Sequence, residues 1–405
     1  MSLPTSFQRL AWSNLAAQSA EQMSLAAAPI LAVLTLGAGA AETGILTAAQ
    51  SLPFLLLSLP AGVLADRMRR KQLMVMAELL RAAALLTLPV LLWLGVLSLP
   101  MLALIGALTA TGTVVFSVAA PALVPTLVPR ELLAAANTRL ELARSLAFAV
   151  GPSAAGVLVV AIGGGAAFVI AALLSLAAVW LIAAIREDVR APGASRHVVA
   201  ELIEGMAFVR TQPLLMTIMA TAAVWSVSYF VLQSIYVLYA VQRLGLDAGA
   251  VGLTLGAYGA GMLVAALASP LILPRMPIGR FIVCGPVGSV IGVATILSSR
   301  FVPGIFMPLL GFFLFGIGPL MWSIGQTTLR QALTPTALLG RVSALFMVVS
   351  FGARPIGAAI GGLIGTKIGL DAAMLVAGLG FIAQAAIVLF SPMPALRALP
   401  RHNLD

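Results

Sequence analysis

The chain has 405 residues, 61% of them hydrophobic and 9% charged, with a mean hydropathy of +1.10. So little charge excludes a soluble globular domain, whose surface needs far more of it. The net charge of +10 is scattered among apolar runs with no basic face or aromatic platform, which excludes a nucleic-acid partner.

Apolar runs of about 20 residues, the length that crosses a bilayer as a helix, recur at roughly 10–36, 43–65, 72–95, 101–121, 138–162 and 166–185. Six more follow a hydrophilic interval, at roughly 213–240, 250–272, 280–298, 304–326, 342–366 and 371–391. The predicted fold is all-α and membrane-integral: twelve transmembrane helices in two six-helix bundles, residues 1–187 and 212–405, joined by a linker over 188–211. The first run is long and holds Asn14, Gln18 and Glu21, so it is expected to stay as a helix rather than be cleaved as a signal peptide. Within the linker, Val198–Phe208 has helical spacing with Glu201 and Glu204 on one side, which predicts an amphipathic helix at the cytoplasmic surface.

Cations separate the two sets of loops. Arg9, the run Arg67 to Lys71, Arg130, Arg139, Arg186, Arg190, Arg196, Arg275, Arg341 and Arg401 fall on one side, while the other holds Arg243, Arg300 and Lys367. Lys and Arg collect on the cytoplasmic side, so both termini are expected inside a bacterial inner membrane. The halves also match: residues 128–158 and 334–364 both run from Pro through Leu-Leu and an arginine to Pro and small residues. The offset is 206 residues at Pro129 and Pro335 but 203 at Pro152 and Pro355. Six-helix repeats of this kind place a substrate site near the midplane, with the two bundles related by a pseudo-two-fold axis.

Between the second and third runs lies LPAGVLADRMRRKQLM, residues 59–74, a charged hinge inside hydrocarbon. Gly62 is expected to permit close helix approach, and the basic run prefers an anionic membrane surface. Here Gly62, Leu64, Ala65, Asp66, Arg67 and Arg70 resemble the Gly-x-Leu-Ala-Asp-Arg-x-Gly-Arg signature of the major facilitator superfamily, with Arg69 where the pattern has Gly. The more basic loop is similar to that of a subgroup of siderophore exporters and macrolide or multidrug efflux proteins, as are LVPRELLAAAN and LLGRVSAL. That resemblance implies a secondary active transporter, monomeric and without cofactor, that exports an amphipathic small molecule (siderophore or drug) by alternating access and proton antiport. A lysophospholipid flippase and a small-molecule importer are the rivals. Gating falls to Gly62, Asp66, Arg67 and Arg70, with Asp66 either latched to Arg341 or capping the helix that follows. Gly151, Pro152 and Gly156 resemble the superfamily's Gly-Pro-rich exporter motif, with Ala147 and Ala155 where it has Gly. The fourth run, ALTATGTVVFS, lacks the arginine that many proton-coupled exporters carry there, which leaves the coupling ion open.

Ionisable groups inside hydrocarbon are functional candidates by default. Glu21 lies midway along the first run, and Asn14, Gln18 and Gln22 repeat every four residues beside it, a stripe expected to face a watery cavity. Glu21 is the first candidate to carry a proton, ahead of Glu78 and Glu141. The last two stand three residues before Arg81 and Arg144, so each pair is expected on one helix face, near enough to the surface for the arginine to snorkel. Arg354 has no local acid and precedes Pro355, which makes it the candidate for an anionic group of the cargo. Trp225, Tyr229, Gln233 and Tyr236 on one helix, and Trp322 and Gln326 on another, suit contact with amphipathic cargo, with anchoring at the membrane interface as the alternative for Tyr236 and Trp322. An enzyme finds little support: His197 and His402 lie in the linker and tail, Cys284 is the only cysteine, and no phosphate-binding loop is present, so no metal site or ATP hydrolysis is expected.

Overall fold

The computed structural model describes residues 4–129, 132–185, 198–302, 304–335 and 338–398, without the side chains of residues 66, 67, 134 and 198–200. Arg130, Arg186, Arg190, Arg196, Arg401, His197 and His402 lie outside the described residues. The chain forms thirteen helices among the described residues: α1 (Thr5–Leu34), α2 (Ala40–Arg67), α3 (Arg70–Trp93), α4 (Leu99–Leu127), α5 (Leu133–Ala161), α6 (Ala166–Ala183), α7 (Val198–Thr211), α8 (Pro213–Gln242), α9 (Ala248–Ile272), α10 (Ile278–Ser298), α11 (Phe306–Leu333), α12 (Leu339–Lys367) and α13 (Leu370–Leu389). A backbone in hydrocarbon must satisfy its own N–H and C=O groups, so each apolar run closes on itself as a helix.

Eleven of these helices are long and apolar enough to cross a membrane. The twelfth, α1, falls outside that set, its apolar run interrupted by Asn14, Gln18, Glu21 and Gln22, and packs against α5 and α6 as a member of the first bundle. At the arginine-rich end α4, α5 and α11 run past the apolar segments expected from sequence, to Leu127, from Leu133 and to Leu333. Hydropathy finds the part of a helix that sits in hydrocarbon; the helix itself continues into the aqueous layer.

Helices α1–α6 pack into one bundle and α8–α13 into the other, and the two meet mainly along α2–α12 and α5–α9. The repeat is visible in the elements: α5 and α12 are both 29 residues long, so the slip between Pro152 and Pro355 is a move of the proline along an equal helix and no insertion is needed. The six connections at the arginine-poor end each contain one glycine at positive φ: Gly37, Gly95, Gly163, Gly245, Gly304 and Gly369. At Gly37, with φ +66°, an L side chain would be strained, which is why so short a hairpin can turn there.

Both seams are tight toward the arginine-poor end. A Cβ on Gly44 would lie 2.7 Å from the Gly362 Cα, and one on Gly156 would lie 2.4 Å from the Ala248 carbonyl oxygen and 2.9 Å from the Gly252 Cα. The α2–α12 seam then loosens: a Cβ on Gly352 would lie 3.3 Å from Leu55 Cδ1, while one on Gly62 or Gly340, near the arginine-rich end, would meet nothing within 4 Å. The close approach expected at Gly62 is therefore not made in this structure, because the two bundles diverge before reaching it.

Lys71 of the hinge and Arg9 cap the end of α6, and Arg70 reaches a carbonyl within the last two turns of α4. Arg70 Nη1 donates to the Ala122 carbonyl at 2.8 Å, and Lys71 Nζ and Arg9 Nη1 donate to the carbonyls of Ile185 and Ala184 at 2.8 and 2.6 Å, just past α6. Cations at a helix C-terminus complete orphan carbonyls and oppose the negative end of its dipole. Helix α7 lies against α12, with Val209 fully buried and Leu202 and Met206 packed onto the same core as Leu345 and Phe346. Its Glu204 forms an ion pair with Arg341 Nη1. The side chain of Asp66 lies outside the described residues, so the partner that this structure records for Arg341 belongs to the linker helix.

Candidate functional site

Inside the first bundle, the backbones of α3 and α4 come so close that a Cβ on Gly112 would meet the Ala77 carbonyl at 2.6 Å. This closeness buries Glu78 and Arg81 completely, at 0% and 1% exposure. Arg81 Nη1 pairs with Glu78 Oε1 at 2.8 Å and donates to the Ala17 carbonyl at 3.0 Å, while Nη2 donates to Thr113 Oγ1 at 2.8 Å. The snorkelling expected of Arg81 does not occur: both Nη atoms find partners where they lie, on α1, α3 and α4, while its Nε is buried without one. Glu141 and Arg144 also pair on one helix, through Nε at 3.0 and 3.1 Å and through Nη2, and stay partly exposed.

The polar face of α1 divides. Asn14 is buried with its Oδ1 unpartnered, Gln18 is half-buried, and Gln22 is buried with its Cβ against Gly151 of α5. Glu21 makes no ion pair within 4 Å among the described residues; the cations that act on it electrostatically are Arg81, then Arg354, then Arg144. Arg354, from the other bundle, lies over three phenyl rings: Phe351 at 4.3 Å, Phe54 at 4.6 Å and Phe230 at 5.3 Å. Phe54 belongs to α2, so this cage joins the bundles where their seam begins to open. Such contacts contribute about 0.5–2 kcal/mol each.

Between the bundles is a cavity of about 60 Å³. Gln22, Thr47 and Gln50 line it from the first bundle, and Tyr229, Gln233 and Tyr258 from the second, with no charged side chain in its wall. A drug-sized ligand needs about 300–1,000 Å³, so this space is too small to enclose one. Tyr229 stacks on Trp225 (4.9 Å, 7°) and on Phe315 (6.0 Å, 12°). Trp225 Nε1 and Gln233 Oε1 are buried without a partner, a donor and an acceptor near the cavity.

Pro152 stands on this wall and its seam, its carbonyl 2.5 Å from where a Gly252 Cβ would be, whereas Gly151 faces α1, where a Cβ would lie 2.7 Å from the Gln22 Cβ. Tyr236 lines the cavity but gives its hydroxyl to Thr254 at 2.5 Å. Trp322 lies elsewhere, 8% exposed in the second bundle's core with its Cβ against Gly285. Gln326 donates to Thr327 and leaves its Oε1 buried and unpartnered. Gln50 and Tyr258 of the cavity and Phe54 and Phe230 of the Arg354 cage went unnoticed in the sequence because each is an ordinary residue of an apolar run; only the packing of α2, α8 and α9 gives them their places.

A second hollow, about 420 Å³, sits where α5, α9 and α11 meet. Leu253, Leu309, Leu310 and Phe313 line it with exposed Phe306, and Ser153 is its one hydroxyl.

The chain matches the family described as transmembrane secretion effector over residues 5–404. It is 25% identical to Macrolide efflux protein A of Streptococcus pyogenes over 346 residues, covering 83% of this chain and 84% of that one. Multidrug efflux pump Tap of Mycolicibacterium fortuitum is 26% identical over 384 residues, covering 91% of this chain and 90% of the pump. Among solved structures, a bacterial homologue of the human lysosomal transporter Spinster, inward-facing and unoccupied, aligns over the whole of both chains with a TM-score of 0.75 at 15% identity.

Proposed function

The chain belongs to the transmembrane secretion effector family of the major facilitator superfamily, and on that premise we propose that it exports an amphipathic small molecule, drug or siderophore, from the bacterial cytoplasm by alternating access and proton antiport. The arginine-rich end faces the cytoplasm in this reading, and residues 188–211 link the bundles of a monomer. The observation that carries it is the junction of the bundles: an aromatic and amide-lined cavity, a seam along α2–α12 that is tight at one end and open at the other, and a carboxyl, Glu21, next in sequence to the cavity residue Gln22. Cargo entering from the loose side meets stacked rings and an unpartnered donor and acceptor.

Glu21 is the proton carrier in this account because Glu78 and Glu141 are each committed to an arginine on their own helix. Cargo and proton then compete for one open state, and an inward proton gradient drives cargo out. The test uses everted vesicles, in which an acid interior should drive accumulation of a lipophilic cationic dye. Glu21→Gln keeps the shape and fixes the group neutral, so the variant should bind dye and exchange it downhill without concentrating it. Accumulation at the normal level in Glu21→Gln would move the proton to Glu78 or Glu141.

A second reading, transport of a lysophospholipid, draws support from the apolar hollow between α5, α9 and α11, which suits a single acyl chain. Lipid uptake measured beside dye efflux separates the two.

A further inference from the structure

Arg330 stands in the last turn of α11, at the arginine-rich end, and is partly buried. Its Nε is buried without a hydrogen-bond partner, and its guanidinium has no ion pair among the described residues. Arg70, Lys71 and Arg341, also partly buried at this end, do have oxygen partners: the carbonyls of Ala122 and Ile185, and Glu204. Arg330 lies instead over the ring of Phe346 on α12, 4.9 Å from its centroid. A ring face attracts the cation but leaves its fork of N–H donors without acceptors. Its own bundle offers no acid, since the helices α8–α13 contain only Asp371, which pairs with Arg243 at the opposite end.

The internal repeat makes this charge conspicuous. The offset of 206 residues between Pro129 and Pro335 also relates the last residues of α4 and α11, Leu127 and Leu333, and the fully buried Leu123 and Leu329. In that register Gln326, Arg330 and Thr334 occupy the places of Ala120, Val124 and Val128, which are all buried in the core of the first bundle. Packing at these positions is therefore achieved without polar groups in one half and with them in the other. The three follow one another turn by turn along α11. Each leaves a buried atom without a partner: Gln326 Oε1, Arg330 Nε and Thr334 Oγ1. A buried polar atom in that condition is costly, and so is a charge without a counter-ion. The ligand that relieves both brings oxygens in a plane, because a guanidinium fork matches a carboxylate or phosphate with two parallel hydrogen bonds.

We propose that Arg330, flanked by Gln326 and Thr334, is an oxyanion site at the arginine-rich mouth of the second bundle, which seats the phosphate or carboxylate group of a ligand. Leu329, Leu333 and Phe346 belong to the apolar core beside it, a surface for any chain that the ligand carries. The site lies at the end where the α2–α12 seam is open. It goes beyond the export reading and holds whichever group carries the proton.

Isothermal calorimetry on the purified full-length protein in a neutral detergent tests it. Hexyl phosphate and hexanoate carry an oxyanion on one chain, dihexanoylphosphatidic acid carries it on a lipid, inorganic phosphate has no chain, and hexanol has the chain alone. The oxyanions should bind and hexanol should not. Arg330→Gln should weaken hexyl phosphate by roughly 10- to 150-fold, the loss of a charge-assisted hydrogen bond. It should melt no lower than the parent, since it removes an unpaired charge; a merely structural arginine would lower the melting temperature. Arg330→Lys, which keeps the charge without the fork, should bind with intermediate affinity. Arg330→Val with Thr334→Val restores the valines of the first repeat, so that protein should fold and bind no oxyanion. Arg280→Gln, an exposed cation at the same end, should bind like the parent. Tightest binding of phosphatidic acid identifies a lipid headgroup as the source, tightest binding of hexyl phosphate or hexanoate a soluble amphiphile, and equal binding of inorganic phosphate a free anion. Equal affinity of hexyl phosphate for the parent and Arg330→Gln, hexanol binding as tightly as hexyl phosphate, or no oxyanion binding by the parent would overturn the site.

Discussion

Arg81 is the largest fully buried side chain among the described residues, and it is charged. Its position is bearable because Glu78, the Ala17 carbonyl and Thr113 surround the guanidinium. Removing one member of such a set leaves the others unpaired, so Arg81→Ala should lower stability by about 3–5 kcal/mol, and Thr113→Val, which removes a single acceptor, by about 1–3 kcal/mol. Thermal unfolding in detergent measures both, and an Arg81→Ala protein that melts with the parent would refute the account. The three-residue spacing of Glu78 and Arg81 was legible in the sequence. Their partners were not, because a backbone carbonyl on α1 and a threonine on α4 carry no signal until three helices meet. The same holds for Arg354: its lack of a local acid could be read along one helix, but its rings come from α2, α8 and α12.

Among the elements, α7 illustrates how far periodicity reaches. Helical spacing and the placement of Glu201 and Glu204 on one side follow from the sequence, while the surface that the helix covers depends on where α12 begins. Gly205 lies against the backbone of Arg341, where a Cβ on the glycine would be 3.0 Å from the Arg341 carbonyl oxygen, and no pattern in the linker announces that. The Glu204–Arg341 pair is partly exposed, 54% on the glutamate side, so it contributes under about 1 kcal/mol. The apolar contacts hold the helix. Glu204→Ala should therefore leave α7 docked, whereas Val209→Asp, which places a carboxylate in a fully buried position, should release it. Limited proteolysis of the linker distinguishes them: faster cleavage is expected for Val209→Asp alone, and equal cleavage of both variants would mean that the ion pair is the main tie.

At the scale of the whole molecule, the sequence reveals twelve spans, their division in two and the arginine-rich side, because hydropathy and charge are read along the chain. Which ends of the bundles touch is a property of contacts between residues some 300 apart, such as Gly44 and Gly362, and hydropathy is silent on it. If this tight seam is one of two alternating closures, holding it shut must stop transport. Ala40 and Gly365 allow the test, since a Cβ on Gly365 would lie 2.8 Å from the Ala40 Cβ, near enough for two cysteines to be bridged after a small adjustment. The chain has a single cysteine, Cys284, so Cys284→Ser supplies a clean background. Ala40→Cys with Gly365→Cys should crosslink on mild oxidation, lose dye transport and recover it on reduction. Gly62→Cys with Gly340→Cys, where the seam is open, should crosslink only in the opposite state and so in proportion to turnover. Full transport by the oxidised Ala40→Cys/Gly365→Cys protein would show that this seam never opens during the cycle, and alternating access along α2–α12 would have to be abandoned.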